Sequence, residues 1–441
     1  MSNERNVPDP SGAGSSAPSG VAANQCRVYL ELLERIRPHI RTDPGLPERI
    51  RALLARDRRF GSRDRRLYRE LLFTTIRYLP WIAPDLDDAP GRAAATAAWL
   101  AAETPDTQPY RLGLTGGWPT CPDSVQARAA ILGVSPVSLL PDWTGTEAPR
   151  ALQPTELEAL HRRSPLWIRV QRGDPRDVIR ALEDEGLVCH PSRVLDCAIR
   201  VHTTDGRDPD LSRVSSWKEG MFEVQDLGSQ LVLSTLNLEG GERWLDACAG
   251  AGGKTLQLAG LIEEAGTVDA FDPRTSALEE LVRRRDRAGL RNIAVLPRAP
   301  STEVTNIARY DGVLVDAPCS GSGTWRRSPH LKWTTSAGDI RRHADRQLAL
   351  LVAHAILVRP GGQLVYVTCS LASAENEGVA RQFLEAHAEF EPIPPARDFG
   401  YSTGEAPTRL PPGNSSSLGL EILPSVNDTD GFYVAAFRRT S

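Results

Sequence analysis

Lysine is almost missing from this chain: Lys218, Lys254 and Lys332 stand against 49 arginines. A coding bias toward arginine explains such an imbalance. It also marks the few surviving lysines as places where a compact ammonium, rather than a planar guanidinium, is wanted. No stretch approaches the roughly 20 apolar residues of a membrane span, so no membrane partner is expected. The seven cysteines (Cys26, Cys121, Cys189, Cys197, Cys248, Cys319 and Cys369) are odd in number, form no C-x-x-C pair and lack histidines at zinc spacing. That excludes a disulfide scaffold and a zinc ribbon, leaves no metal site in view, and fits a reducing cytoplasm. The opening residues have neither the apolar core of a secretion signal nor the Arg-rich, acid-poor helix of a transit sequence, and residues 1–22 read as a disordered tail. No repeat of solenoid length is present.

What is present suits a globular protein of about three domains, at roughly 150 residues each for a chain of 441. The formal net charge of −4 does not advertise a nucleic-acid binder, yet Arg27 to Arg77 holds fourteen arginines against seven acids. Two readings stand side by side, a solvated helix surface and a phosphate-binding surface. Between the arginines, Val28, Leu30, Leu33, Ile36, Ile40, Ile50, Leu53, Leu54, Leu67, Leu71, Leu72, Ile76 and Leu79 recur at helical spacing. Residues 23–150 are therefore expected to form an all-α domain, closing near the Pro/Gly/Thr-rich stretch Pro141 to Pro149. Residues 151–224 read as a small α+β module, with a strand at Leu166 to Val170, a helix at Pro175 to Gly186, and short strands at Leu187 to His190 and Ala198 to His202. From 225 to 441 helices and apolar strands alternate regularly. That pattern predicts an α/β, doubly wound, mostly parallel Rossmann-like sheet with ligands at the carboxyl ends of its strands.

Three segments carry chemistry. The first is Asp246, Ala247, Cys248, Ala249, Gly250, Ala251, Gly252, Gly253 and Lys254, between an expected strand (Arg243 to Leu245) and an expected helix (Lys254 to Glu263). Glycines there permit a tight turn and close backbone approach to a bound nucleoside, while the spacing is wrong for a Walker phosphate loop. Asp272 follows at the end of the next strand, where a carboxylate can accept from both ribose hydroxyls. The second is Asp316, Ala317, Pro318 and Cys319; the third is Thr368, Cys369 and Ser370. Each puts a cysteine just beyond an apolar strand, on the expected ligand edge. A lone cysteine is more often a small buried hydrophobe, but two on that edge, one preceded by a carboxylate, argue for reactivity.

These residues resemble the cytosine-5 RNA methyltransferases of the RsmB/Sun type. The resemblance runs from Gln225 and Asp226 through the Asp246–Lys254 loop, Asp316 to Cys319, Arg326, Arg327, Lys332, Trp333, Gln347, Pro360 to Gly362 and Thr368 to Ser370. It continues with Glu375 to Glu377 and Asp430 to Phe432. The Arg-rich helical region looks, more loosely, like the NusB-type RNA-binding domain of bacterial members. The resemblance implies S-adenosylmethionine as cofactor, held by Asp246, Cys248, Ala249, Gly250, Ala251, Gly252, Gly253, Lys254, Asp272 and Asp316. It implies Cys369 as the nucleophile, Cys319 as the residue that assists release, and Asp316 as the group that holds the cytosine edge. Arg326, Arg327 and Lys332 would line an RNA cleft, with Trp325 and Trp333 in core packing ahead of base stacking.

The implied partner is RNA, ribosomal RNA of the small subunit first, acted on by a cytoplasmic monomer. The chemistry fits the residue types, because cytosine C5 is a poor nucleophile until a thiolate adds to C6. The base must also be unstacked, which favours loops and single strands. Two departures stand out. Ala251 replaces the family's usual Pro, and Pro297 to Pro300 offers no carboxylate where the family supplies one for adenine. Other readings are a non-catalytic RNA-binding or ribosome-assembly factor on a degenerate methyltransferase fold, and a methyltransferase of transfer RNA or DNA.

Overall fold

The computed structural model describes residues 20–205, 207–300, 309–395, 415–416 and 418–441. The chain divides into two compact units, one comprising residues 1–162 with 325–336, the other 163–324 with 337–441. Most of the expected tail lies outside the described residues. Its last three residues do not belong to a tail, because the first helix spans Gly20–Ile36.

The first unit is all helical. Its main helices are Gly20–Ile36, Leu46–Arg56, Ser62–Arg77, Pro90–Leu100, Gln108–Thr115, Val125–Leu132 and Pro154–His161. The helical spacing read from the sequence corresponds to a real core: Leu33, Ile36, Ile40, Ile50, Leu54, Leu67, Leu71, Leu72 and Ile76 are buried, with Leu30 and Leu53 half-buried. Ala93, Ala94, Ala97 and Ala98 are fully buried, so the small side chains of helix Pro90–Leu100 allow neighbouring backbones close approach.

This unit extends past the expected boundary at residue 150, because Leu157, Leu160 and His161 of the last helix are buried in it. It also takes in Trp325–Ser336, a segment the sequence reading assigned to the catalytic domain. Trp325 packs edge-on against Trp143, and Trp333 donates from its indole to Ile76 O at 2.6 Å.

The second unit contains two sheets. The smaller has order β2-β3-β1-β4, all antiparallel, from β1 (Trp167–Val170), β2 (Leu187–Pro191), β3 (Ala198–Thr203) and β4 (Phe222–Val224). The larger contains β5 (Arg243–Asp246), β6 (Thr267–Ala270), β7 (Ile293–Val295), β8 (Tyr310–Asp316), β9 (Val358–Thr368), β10 (Phe390–Ile393), β11 (Ser415–Ser416), β12 (Gly419–Ile422) and β13 (Phe432–Arg439). Its order is β11-β12-β13-β9-β8-β5-β6-β7, with β10 also on β13. The run β9-β8-β5-β6-β7 is parallel, as expected, and β13 closes it antiparallel against β9.

Alternating residues of the central strands enter two separate cores. Leu314, Val365 and Val367 join helices Leu227–Ser234 and Gly253–Leu261, whereas Val313, Val315, Leu364 and Tyr366 join helices Ala337–Ala355 and Glu377–Ala386. Period-two side chains with both faces covered make the doubly wound layer. Among the described residues, no helix is long and apolar enough to cross a membrane.

Candidate active site

The parallel strands all point their carboxyl ends toward one edge, and the expected residues collect there. At the end of β5, Asp246 is buried and accepts from Thr255 Oγ1 at 2.7 Å and Cys248 N at 3.3 Å. Burial pushes its carboxyl up to about 7, against the pull of the Thr255 hydrogen bond, with the neighbouring Asp316 adding to the rise. The chain then turns through Gly250 and Gly252, both at positive φ (54° and 86°), into helix Gly253–Leu261. A Cβ on Gly252 would also stand 2.7 Å from Leu256 and Leu281 carbons, so both backbone and space require glycine. Cys248 is half-buried, and burial together with Asp246 pushes its thiol up, which suits a lining residue rather than a nucleophile.

Beyond β6, Asp272 accepts from Gly250 N and Arg274 N, both at 2.9 Å, and from the Arg274 guanidinium at 2.9 and 3.0 Å. Burial alone would raise this carboxyl, but those hydrogen bonds hold it below the usual range, so it is anionic. The Arg274 side chain is 70% exposed, and an ion pair that open to water is readily displaced. A glycine-rich turn facing an anionic Asp272 fits a nucleoside cofactor bearing ribose hydroxyls.

The sequence reading missed what fixes this turn. Arg284 Nη1 donates to Ala251 O at 2.8 Å, and Arg169 Nη1 to Gly253 O at 3.1 Å. Glu223 of β4, almost fully buried, accepts from Arg284 at 3.0 Å and Arg287 at 2.5 Å. Arg169 of β1 also reaches Gln225 Oε1 at 2.6 Å. The small sheet therefore supplies Arg169, which donates to one carbonyl of the turn, and Glu223, which holds the Arg284 guanidinium that donates to the other. The only signal in the sequence was the Gln225 motif, since the Arg169–Glu223 cross-strand pairing requires the register of β1 against β4.

The reacting side chains stand at the ends of β8 and β9. Asp316 Oδ2 receives Lys254 Nζ at 2.8 Å, and the ammonium lies 4.9 Å from the Phe432 ring centroid. Cys319 Sγ and Cys369 Sγ are 3.3 Å apart. The hydrogen bond between them, with burial, holds the Cys319 thiol well above its ordinary range. Cys319 is thus held as the thiol. The two loops are stitched together by Gly323 N to Cys369 O at 3.0 Å and Leu371 N to Ser322 Oγ at 2.8 Å. A Cβ at Gly323 would come within 2.2 Å of Gly431 O, which explains a glycine in that crossing.

The three residues expected in an RNA cleft are not together on a surface. Lys332 and Arg326 are each 1% exposed inside the first unit, and only Arg327 faces solvent. Lys332 Nζ bonds Arg77 O (2.9 Å), Leu139 O (3.2 Å) and His161 Nε2 (2.9 Å), three acceptors for the three donors of an ammonium. These partners lie more than 170 positions away in sequence, which is why the local Arg- and Trp-rich context suggested RNA instead. Beyond β7, Pro297 to Pro300 indeed presents no carboxylate.

With this geometry in hand, comparison with known proteins is direct. The family of 16S rRNA methyltransferases RsmB/F matches residues 233–438. The ribosomal RNA small subunit methyltransferase B of Xylella fastidiosa is 30% identical over 416 residues, 85% of this chain and 89% of that protein. A probable ribosomal RNA small subunit methyltransferase B of Bacillus subtilis is 30% identical over 276 residues, 62% of this chain but only 59% of its own length. A crystal structure of a methyltransferase homolog from Pyrococcus horikoshii superposes with TM-score 0.55 at 25% identity, covering 71% of this chain and 98% of that one.

Proposed function

The chain belongs to the RsmB/F family of 16S rRNA methyltransferases, and on that premise we propose that it methylates C5 of a cytidine in RNA, small-subunit ribosomal RNA first, through a covalent Cys369–C6 adduct. The observation that carries this reading is the pair of thiols 3.3 Å apart at the carboxyl ends of adjacent parallel strands, beside the Lys254–Asp316 ion pair. S-adenosylmethionine, when bound by the Asp246–Lys254 turn and Asp272, supplies the electrophilic methyl group.

The residues divide the remaining work. The Cys369 sulfur adds to C6 of the base, and the C5=C6 electron pair becomes available at C5 for methylation. Asp316 accepts from the exocyclic amine and from N3, which takes a proton from water as the adduct forms, and Lys254 orients that carboxylate. After transfer, the C5 proton passes to water as the C5=C6 bond re-forms and the Cys369–C6 bond breaks, returning the electron pair to sulfur. Cys319, adjacent and itself a thiol, assists this release by donating a hydrogen bond to the departing Cys369 thiolate. In the first unit, the exposed Arg35, Arg56, Arg58 and Arg69 supply positive charge for RNA phosphates. Arg327 is the one solvent-facing member of the expected cleft set. An RNA-modifying role fits a cytoplasmic protein.

The test is transfer of label from S-adenosylmethionine to ribosomal or transfer RNA by wild type, Cys369→Ala and Cys319→Ala. The proposal expects activity in wild type, none in Cys369→Ala, and a trapped protein–RNA adduct in Cys319→Ala. A fully active Cys369→Ala removes the nucleophile assignment. The segment Pro297 to Pro300, which offers no carboxylate, favours a second reading, a non-catalytic RNA-binding factor, and wild type that binds RNA without labelling any would support it.

A further inference from the structure

The turn that follows Cys369 holds both active-site thiols. Glu375 is fully buried with no cation among its hydrogen-bonding partners. Its Oε1 accepts from Ser320 N at 2.8 Å and Gln347 Nε2 at 3.1 Å; its Oε2 accepts from Ser320 Oγ at 2.5 Å and Ser370 Oγ at 2.6 Å. Gln347 Nε2 also donates to Pro318 O at 3.0 Å, so Glu375 and Gln347 bracket Cys319 through the residues on either side of it. Asn376 does the same for Cys369: it receives Thr368 Oγ1 at 2.6 Å and donates to Ser370 O at 2.9 Å. Tyr366 of β9 completes the ring, its single hydroxyl proton facing both Gln347 Oε1, 3.0 Å away, and Glu375 O.

From this bracketing we propose that Glu375 and Asn376 are positioning residues that set the separation of Cys319 and Cys369 for the methyl-transfer cycle. The inference rests on the function proposed above and assigns a role to residues whose part in it was open. The alternative, that the carboxylate merely stabilises two loops, meets a chemical objection. A buried carboxyl group is costly, and it is kept only where its acceptor capacity is used. Four donors converge on Glu375, whereas a glutamine at this position would offer one acceptor oxygen and set an amide N–H₂ against the serine hydroxyls. The carboxylate also adds to the forces that keep the proton on Cys319, after the Cys369 contact and burial. Geometry and protonation of the release thiol are thus governed from one turn.

The test uses the full-length protein as wild type, Glu375→Gln, Glu375→Ala, Asn376→Ala and the milder Ser320→Ala, each checked for a native thermal transition. Proximity of the thiols is read as the rate at which oxidised glutathione converts them to a disulfide: two thiols are oxidised, one glutathione disulfide is reduced to two glutathiones, and peptide mass spectrometry locates the bond. Methyl transfer is measured in parallel.

For folded Glu375 and Asn376 variants the expected result is a kcat about 10²-fold lower, as for a displacement on the order of 1 Å. The cofactor KM should stay within about twofold, with RNA adduct accumulating as in Cys319→Ala and disulfide formation slowed about tenfold. Ser320→Ala, which keeps the backbone donor to Glu375 but loses the hydroxyl contacts to Glu375, Ser370 and Ser322, should show an effect of about fivefold. Wild-type disulfide rates in the folded variants, or in Ser320→Ala if the others do not fold, would overturn the proposal. If wild type labels no RNA while the variants still slow disulfide formation, the function reading fails and the positioning role stands.

Discussion

Replacing Lys332 by methionine keeps the length of the stem and removes the ammonium, leaving Arg77 O, Leu139 O and His161 Nε2 buried without their donor. Each unsatisfied buried acceptor costs about 1–3 kcal/mol. Even the low end summed over three, about 3 kcal/mol, is a large share of the roughly 5–15 kcal/mol that holds a domain together. Part of that is returned because the ammonium itself is expensive to bury. Burial and the nearby Arg77 pull the Lys332 pKa well below its ordinary value. For a domain of this size each kcal/mol shifts Tm by about 2–4 °C, so with about 2 kcal/mol of that loss remaining, Lys332→Met is expected to lower the first unit's transition by about 4–8 °C. Tryptophan fluorescence is the natural probe, since Trp81, Trp99, Trp118, Trp143, Trp325 and Trp333 all lie in that unit. A Tm within about 1 °C of wild type, together with weakened RNA binding, would refute this reasoning and return Lys332 to the RNA surface.

Other expectations follow from the same geometry. His161, whose Nδ1 is 2.8 Å from Leu157 O, is held neutral by burial and by Lys332. The unfolded chain therefore takes up a proton near pH ~6.5 that the folded chain refuses, and urea titrations should show the first unit losing stability as pH falls below that value. Asp246 has the opposite sign. With its folded pKa near 7, the native state binds the extra proton, so this group's contribution is full below its unfolded value and is lost as pH rises toward 7. Asp246→Asn should flatten that slope. Gly252→Ala, with φ 86° and two carbons at 2.7 Å from the new Cβ, should cost about 1–3 kcal/mol and abolish measurable S-adenosylmethionine binding by calorimetry. Glu223→Ala takes the carboxylate from two half-buried guanidinium groups and should weaken cofactor binding with kcat at saturation less affected, because it acts on the turn and not on the thiols.

The parts of the fold legible in sequence are those written locally. Helix Thr275–Ala288 has the bounds its pattern predicts, because the apolar period ends at Gly289, a left-handed cap with φ 69°. The cysteine pair and the glycine turn were likewise visible, since strand ends in a parallel sheet converge on one edge. Strand β13 was not. Its partner β9 is remote in sequence, and its apolar run Phe432 to Phe437 reads equally well as a buried tail. Lys332 was misread for the same reason: its neighbours suggested nucleic acid, while its actual partners lie in three distant helical segments. The Glu223 cluster depends on cross-strand register, which spacing alone does not encode.

The insertion of Trp325–Ser336 into the helical unit has a consequence for how the chain is made. Synthesis supplies residues up to Arg162 and then must add the intervening stretch before Trp325 exists. At about 5–20 residues per second that interval lasts on the order of 8–30 s. Throughout it, the carbonyls of Arg77 and Leu139 and the ring of His161 wait without the ammonium that satisfies them. The nascent helical bundle is thus an incomplete domain on the ribosome, dependent on a piece encoded far downstream. A fragment ending at Arg162 should accordingly recover native stability only when a peptide spanning 325–336 is added to it in trans.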